Sequence, residues 1–188
     1  MELVTDAVYT KQDYTKTPLP KAEYDNCSFT DCNFENTNLT GIVFTDCSFQ
    51  DCNISNANLK GAAFKEVIFT DCKLTGLNFS IADAFLFSVG FERCILQLTS
   101  FYKIKMKNTK FISCNLNDAD FAEADLTNAV FNDCSHTKAV FDNTILEKAD
   151  FRTAINYSIN PETNRIKKAK FSMPSVSGLL DKYNIIIE

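Results

Sequence analysis

A bulky apolar residue returns every five positions along most of this chain. The first series is unbroken from Tyr24 to Phe79, and a second series, in shifted phase, runs from Leu86 to Phe151 with one interruption, at His136. A period of five is neither the two-residue period of a strand nor the 3.6-residue period of a helix. Such fixed self-similarity predicts a solenoid, in which each short unit buries its apolar side by stacking on its neighbours.

The residue two places before each bulky residue is small or β-branched, as in the segments CNF at 32–34, ANL at 57–59, ADF at 119–121 and ADL at 124–126. These units resemble the A(D/N)LXX consensus of pentapeptide repeat proteins. The resemblance implies an all-β fold, a right-handed quadrilateral β-helix with four pentapeptides per coil, in which the large and the small residue both point inward. We expect this β-helix to span residues 21–158.

All eight cysteines occupy the small inward position, and many of them recur at intervals of twenty, the length of one coil. We expect them to be reduced and buried, because free cysteine behaves as a small core hydrophobe. No cysteine spacing matches a zinc ligand set. The N-terminus lacks the apolar run of a signal peptide, and no apolar stretch approaches a membrane span, so the sequence predicts a cytoplasmic protein without a membrane association.

The phase of the repeat shifts near residues 80–90, where twelve residues instead of ten separate Phe79 from Phe91. The two extra residues form either a bulge or a short loop. Phe85 and Phe87 lie off the five-residue series at this point. The favoured interpretation is that they fill an irregular corner of the core. The alternative is that they project as an apolar contact for a partner.

The two ends of the chain depart from the repeat. Residues 1–20 are expected to form an N-terminal cap, and residues 159–188 a C-terminal extension that begins its helix near Pro174 and ends in a strand at 185–187. A helix and strand after such a solenoid resemble the dimerisation element of the Qnr quinolone-resistance proteins, which implies a homodimer. In the alternative, the helix covers the last coil of a monomer. The apolar face of the helix consists of Val176, Leu179, Leu180 and Tyr183.

Acidic residues are concentrated in the first coils. The net charge is −5, and Asp31, Asp51 and Asp71 recur at intervals of twenty, which predicts an outward carboxylate ladder with Asp46 on the preceding face. Stacked like charges repel. In Qnr and MfpA-like members of the resembled family, such a surface imitates DNA phosphates and binds DNA gyrase or topoisomerase IV. The alternative is that aspartate suits the turn through side-chain to backbone hydrogen bonds.

The basic run KIKMKNTK at 103–110 is the only cationic cluster of note within the repeats. Lys103 precedes Glu123 by twenty residues, Lys105 precedes Asp125 by twenty, and Lys107 lies two coils before Glu147. We expect cross-coil pairs to neutralise much of this run. The sequence therefore argues against direct binding of nucleic acid.

The sequence gives little support for catalysis. His136, the sole histidine, occupies a large inward position in a stack with Leu96, Leu116 and Asn156, and is expected to be a core residue. No nucleophile elbow, phosphate-binding glycine loop or metal-binding histidine pair is present. We therefore expect a protein that is not an enzyme, without a cofactor or metal. It is either a DNA mimic that binds and modulates or protects a type II topoisomerase, or a generic interaction scaffold with an unknown partner.

Overall fold

The chain folds into a four-sided β-helix, which the computed structural model describes over residues 1–186. The strands are two to four residues long, because each side of the coil holds only one pentapeptide before the chain turns. The strands are β1 (Glu2–Thr5), β2 (Val8–Thr10), β3 (Ala22–Asp25), β4 (Ser28–Thr30), β5 (Val43–Thr45), β6 (Ser48–Gln50), β7 (Ala63–Lys65), β8 (Val67–Thr70), β9 (Val89–Glu92), β10 (Lys110–Ile112), β11 (Val130–Asn132), β12 (Asp150–Phe151) and β13 (Lys170–Phe171).

Two sides of the helix are parallel sheets. The first has four strands in the order β1-β3-β5-β7, and the second has nine strands in the order β2-β4-β6-β8-β9-β10-β11-β12-β13. Successive strands pair twenty residues apart in most coils, as in Phe29 with Phe49. The other two sides are joined by single bridges at the same interval, such as Asn33 with Asn53 and Asn38 with Asn58. The predicted all-β helix with a twenty-residue coil is confirmed.

The corners explain the polar residues of the repeat. At most corners one residue has a left-handed backbone, for example Asp31 with φ 59° and Asn56 with φ 55°, and aspartate and asparagine adopt this conformation at low cost. In addition, the Asn or Asp that precedes a large residue closes the turn, since its side-chain oxygen accepts the N–H two residues on. Asn38 Oδ1 accepts from the Thr40 N–H at 3.1 Å in this way.

The core consists of columns of stacked aromatic rings. Along the second sheet, Phe111 stacks on Phe91 at 5.2 Å and on Phe131 at 4.9 Å between ring centroids. Rings of neighbouring columns meet edge to face, as Phe101 and Phe111 do at 6.0 Å. Both arrangements suit the quadrupole of an aromatic ring. All three phenylalanines of the column are buried, so each coil stabilises the coils above and below it.

The eight cysteines are free and buried. Six of them form one continuous column, because a change of offset between Cys72 and Cys94 brings two series into line. Their thiols donate to backbone carbonyls, as Cys52 Sγ does to the Phe29 oxygen at 3.4 Å. Burial raises the pKa of Cys47 to about 12, so this thiol stays protonated and inert at neutral pH. The column comprises Cys32, Cys52, Cys72, Cys94, Cys114 and Cys134.

The phase break is a short loop. Ala63 pairs with Asp83, twenty residues on, whereas Val67 pairs with Val89, twenty-two residues on. The two extra residues therefore lie between Asp83 and Val89, and Phe85 in this segment is 68% exposed. Phe87 turns inward against Phe64 and Phe79 with 9% exposure. Phe87 is thus a core residue and not a partner contact.

Leu86 also departs from the prediction of the five-residue series. The five-residue series places this residue inside, but it is 63% exposed and occupies the corner after Phe85 with φ 57°. Phe87 fills the interior instead. The physical reason is the inserted loop, which moves the inward position one residue along the chain.

Residues 1–20 form a first coil of the β-helix. The strand β1 pairs with β3 and β2 pairs with β4, both at the twenty-residue interval. The expectation that this segment lacks the repeat is therefore wrong. The five-residue series does extend into it, but the residue two places earlier is Glu2 before Val4 and Gln12 before Tyr14. Neither is small or β-branched, and this hides the pattern. The members of the extended series are Val4, Tyr9, Tyr14 and Leu19.

The C-terminal extension contains two 3₁₀ helices, Met173–Leu179 and Asp181–Tyr183, instead of one longer helix. Pro174 lies in the first turn, as expected. Leu179 packs against the core, whereas Val176 and Leu180 are half-buried and Tyr183 is exposed. In the described part of the expected strand, residues 185–186 have no strand conformation, and Ile187 lies outside the described residues.

Gly178 fixes the C-terminal helices to the last coils. Its carbonyl accepts the Ile159 N–H at 2.9 Å, and a Cβ at this position lies 2.1 Å from the Tyr157 carbonyl oxygen. We expect Gly178→Ala to detach residues 172–186 and to speed tryptic cleavage after Lys182 at least about tenfold. Gly61→Ala is the control, since its Cβ meets no atom within 4 Å and strains only its own backbone. Equal cleavage rates in both variants contradict this account.

Candidate interaction surface

The second face is the outer surface of the nine-stranded sheet together with the two corners beside it. From Asn26 to Arg93, which covers strands β4, β6, β8 and β9, this face is strongly acidic, and we call this part the acidic half. Between the corners its strands present mainly serine, threonine and glutamine. Arg93 is its one basic residue. Its carboxylates belong to Asp31, Asp46, Asp51, Glu66, Asp71 and Glu92.

The predicted carboxylate ladder lies at one corner of the acidic half. Asp31, Asp51 and Asp71 occupy the same position in consecutive coils, with φ values of 59°, 52° and 53°, and all three are exposed. Asp46 lies at the opposite corner, as expected from its place in the preceding pentapeptide. Adjacent coils in such a stack are about 4.8 Å apart, so the ladder concentrates like charge along one edge.

Arg93 neutralises Asp71, the last carboxylate of the ladder. Its Nε and Nη2 donate to the two carboxylate oxygens of Asp71 at 2.7 Å each, and it also contacts Glu92. These hydrogen bonds hold the pKa of Asp71 below its usual range. Over residues 1–186, Asp31, Asp46 and Asp51 have no basic side chain within 4 Å. The open part of the ladder is thus shorter than the sequence suggests.

The alternative explanation of these aspartates, that they suit the turn, holds in part. Their left-handed backbone favours Asp over most residues. The aspartate carboxylates, however, accept no turn-closing hydrogen bond within the described residues. Such bonds are made at the next corner of the coil, where Asn33 Oδ1 accepts from the Glu35 N–H and Asn53 Oδ1 from the Ser55 N–H, both at 3.1 Å. Turn chemistry therefore explains the conformation of this corner but does not require a charged side chain there.

At the other end of the second face the charge is opposite, and we call this part the basic half. It extends from β10 to β13. Asp150, one of its two acids, is already bound by Arg152 at 2.7 Å and lies 3.7 Å from Lys170. The hydrogen bonds from Arg152 lower the pKa of Asp150. Its bases are Lys110, Lys148, Arg152, Lys168 and Lys170, against the acids Asp133 and Asp150.

A depression of about 310 Å³ lies where the two halves meet. The outward position is empty at Gly90, while Ile68 and Lys110 fill it in the coils on either side. Glu66 and Glu92 stand at the rim. The exposed Phe85–Leu86 loop leads directly into Ser88, which also lines the depression. Sequence reasoning missed this site, because the alignment of coils across the phase break was unknown.

The basic run at 103–110 is neutralised as expected, but not by all the expected pairs. Lys103 binds Glu123 at 3.3 Å, which confirms that pair. Asp125 is bound by Lys107 at 3.3 Å instead of Lys105. The pairing of Lys107 with Glu147 is wrong, since Glu147 is bound by Arg165 from the following coil.

His136 is a core residue. It is fully buried, its ring lies 5.0 Å from that of Phe131, and neither ring nitrogen has a hydrogen-bond partner. Burial lowers its pKa to about 4, so the ring is neutral. Asn156, its expected neighbour in the stack, is exposed at a corner with φ 59°, and Tyr157 is buried instead. Within residues 1–186, no cluster of side chains suits a metal ion, and no helix combines the length and apolarity that crossing a bilayer requires.

The sequence matches a model of the pentapeptide repeat region over residues 22–84 and 84–158. The chain belongs to the pentapeptide repeat family. Its fold is accordingly the right-handed quadrilateral β-helix that the repeats predict. A comparison with curated protein sequences gives no match.

Solved structures of pentapeptide repeat proteins share this fold. A trypsin-treated variant of QnrB1, a plasmid-mediated fluoroquinolone resistance protein, matches 100% of this chain and 92% of its own, with a TM-score of 0.71 and 14% identity. HetL, involved in heterocyst differentiation regulation in the cyanobacterium Nostoc, matches 92% of this chain and 87% of its own, with a TM-score of 0.58 and 16% identity. At these identities the similarity concerns the fold.

Proposed function

We propose that this pentapeptide repeat protein is a non-enzymatic, cytoplasmic DNA mimic that binds a type II topoisomerase, DNA gyrase or topoisomerase IV, and modulates or protects it. The observation that carries the proposal is the acidic half of the second face. Two acidic corners flank a strip of small uncharged side chains, and Asp31, Asp46 and Asp51 on these corners are not neutralised within the described residues.

The rigidity of the β-helix favours this role. DNA-binding surfaces place lysine and arginine where phosphates lie, and they gain affinity from neutralising several charges together. The acidic half holds its carboxylates on backbone positions fixed by hydrogen bonds to adjacent coils, such as the Asp31 N–H to the Gln50 oxygen at 3.0 Å. Little conformational entropy is then lost on binding. The basic half restricts the mimicry to the four coils from Asp31 to Glu92.

We propose that the protein is a homodimer joined through residues 171–188. Apolar side chains stay exposed on the described part of this extension: Met173 at 84%, Ile186 at 88%, and Tyr183 and Ile185 at more than half. Exposed apolar clusters of this kind mark interfaces. The alternative is that the extension covers the last coil of a monomer. It agrees with the structure only in part, because Leu179 reaches the core while these four side chains do not.

The direct test is binding to purified gyrase by biolayer interferometry, with a triple variant Asp31→Lys, Asp46→Lys and Asp51→Lys. We expect the triple variant to lose at least about a hundredfold in affinity, since each reversal replaces an attraction by a repulsion. The control is Glu2→Lys, Glu23→Lys and Asp142→Lys, which changes net charge equally but leaves the acidic half and the C-terminal extension intact.

Competition by duplex DNA separates mimicry from other modes of binding. Linear DNA is expected to displace the wild-type protein from gyrase, because both occupy the same basic surface. If the acidic triple variant binds like the control, or if DNA and the protein bind together, the DNA mimic is excluded. The interaction scaffold is then the remaining function, and the exposed Phe85–Leu86 loop favours it as an apolar contact.

A further inference from the structure

The second face is complementary to itself. It is acidic over strands β4 to β9 and basic over strands β10 to β13, and the sign changes between Gly90 and Lys110. We propose that two copies of this chain associate face to face through their second faces, with the axes of the two β-helices antiparallel. A surface that meets a second copy across a two-fold axis must present complementary groups on either side of that axis. This face does so except at Asp71 and Asp133, two acids that come to lie opposite each other, and Asp71 is already bound by Arg93.

The symmetry fixes which residues meet. A two-fold axis along the strand direction, between β9 and β10, places each coil of the acidic half opposite a coil of the basic half of the second copy. Because the axis runs along the strands, the corner before each strand faces the corner before the opposed strand, and Asp46 lies opposite Lys148. Within the strands, the exposed Ile68 lies opposite Val130. Neither Asp46 nor Lys148 has an ion-pair partner within residues 1–186, so both are free to pair.

The depression at Gly90 is the centre of this arrangement. The axis places Lys110 of the second copy opposite Gly90, where its aliphatic stem covers Ile68 and its ammonium group reaches the rim carboxylates Glu66 and Glu92. The backbone of Gly90 does not require a glycine, because its φ is not positive. Among the glycines, positive φ occurs only at positions 41, 61 and 76. A Cβ at Gly90 lies 2.9 Å from Ile68 Cδ1. Glycine in a strand often marks a close approach of another chain.

A second copy fits this face better than other partners. A nucleic acid that covers the whole face is repelled by the acidic half, and a basic protein surface that covers the whole face is repelled by the basic half. The predicted contact is also narrow, about 400 Å² per copy for eight opposed strands of three residues, which is below the usual size of a stable interface. Because its pairs are exposed, we expect weak association that salt abolishes. This interface is separate from the one proposed at residues 171–188.

The test is a charge-swap cycle followed by sedimentation equilibrium of the full chain. We expect Asp46→Lys and Lys148→Glu each to weaken the salt-sensitive association about tenfold, since each pair occurs twice across a two-fold interface. The double variant Asp46→Lys/Lys148→Glu is expected to restore it. A matched control is the swap Lys103→Glu/Glu123→Lys, a pair that lies on another side of the same molecule, and it is expected to leave association unchanged.

The outcomes are distinct. Rescue in the double variant, together with loss of association at about 0.3 M salt, supports the face-to-face pair. Single variants that associate like the wild type, a double variant no tighter than its singles, or association that salt does not affect would overturn it. The four substituted side chains are exposed, so the circular dichroism of the variants is expected to be unchanged. They are those of Asp46, Lys148, Lys103 and Glu123. The double variant also lacks one carboxylate of the acidic half, so gyrase binding remains weakened when self-association is restored.

Discussion

Replacing Phe111 with alanine is expected to lower the free energy of unfolding by about 3 to 5 kcal/mol. Phe111 is fully buried, and its ring stacks on Phe91 and Phe131 and meets Phe101 and Phe121 edge to face. The coils above and below hold the backbone at a fixed spacing, so the cavity cannot collapse. Denaturation by urea, followed by circular dichroism, measures the loss.

Phe85→Ala is the matched control for this substitution. The same atoms are removed, but the ring is exposed on the loop at the phase break, and we expect a change below about 0.5 kcal/mol. A solenoid is stabilised by neighbouring coils in sequence, so Phe111→Ala is also expected to broaden the transition as the two halves of the rod begin to unfold separately. A loss below about 1 kcal/mol for Phe111→Ala contradicts the stacked core.

His136→Leu is expected to stabilise the protein, and to do so most at acidic pH. At neutral pH the gain is about 1 to 3 kcal/mol, because two buried ring nitrogens without partners are removed. Leucine already occupies the same column at Leu96 and Leu116, so the replacement fits the core.

The pH dependence follows from the lowered pKa of His136. The unfolded chain binds a proton near pH 6.5, whereas the folded chain binds it only near pH 4. Between these values protonation favours the unfolded state, so the contribution of His136 lowers the free energy of unfolding by about 3 kcal/mol as the pH drops from about 7 to below 4.

The difference in unfolding free energy between His136→Leu and the wild type isolates this effect. His136 is the sole histidine, and the carboxylates titrate in both proteins alike. The difference is expected to grow as the pH falls from about 6.5 to about 4, and then to level off. A constant difference over this range excludes a buried neutral histidine.

Much of the fold could be predicted from one spacing. The five-residue series fixes which side chains point inward, and the twenty-residue recurrence of cysteines gives the length of the coil. The prediction fails where the small residue two places before the bulky one is replaced, or where residues are inserted. Val4 and Tyr14 continue the series although Glu2 and Gln12, which are not small, stand two places before them. Phe87 and Tyr157 take inward places that the spacing assigns to Leu86 and Asn156.

The candidate site was predictable residue by residue but not as a surface. The ladder of Asp31, Asp51 and Asp71 follows from the coil length. Its neutralisation by Arg93 does not, because the loop at the phase break changes the offset to twenty-two residues, and twenty residues from Asp71 lies the buried Phe91. The same offset determines that Gly90 follows Ile68 on the second face, and therefore where its charge changes sign.

Self-association and topoisomerase binding make use of the same carboxylates. Asp46 takes part in both proposals, so a second copy and a topoisomerase are expected to exclude one another on the acidic half. The apparent affinity for gyrase then decreases as the concentration of this protein rises in low salt. This competition offers a simple means of keeping the acidic surface covered when no topoisomerase is present.

DNA supercoiling by purified bacterial gyrase, titrated with this protein in the presence and absence of a fluoroquinolone, tests the central claim most directly. Inhibition of supercoiling, or relief of drug-stabilised cleavage, is predicted at micromolar or lower protein, and it is predicted to disappear in the Asp31→Lys, Asp46→Lys, Asp51→Lys variant. No effect of the wild-type protein on gyrase from its own host, with or without the drug, contradicts the claim.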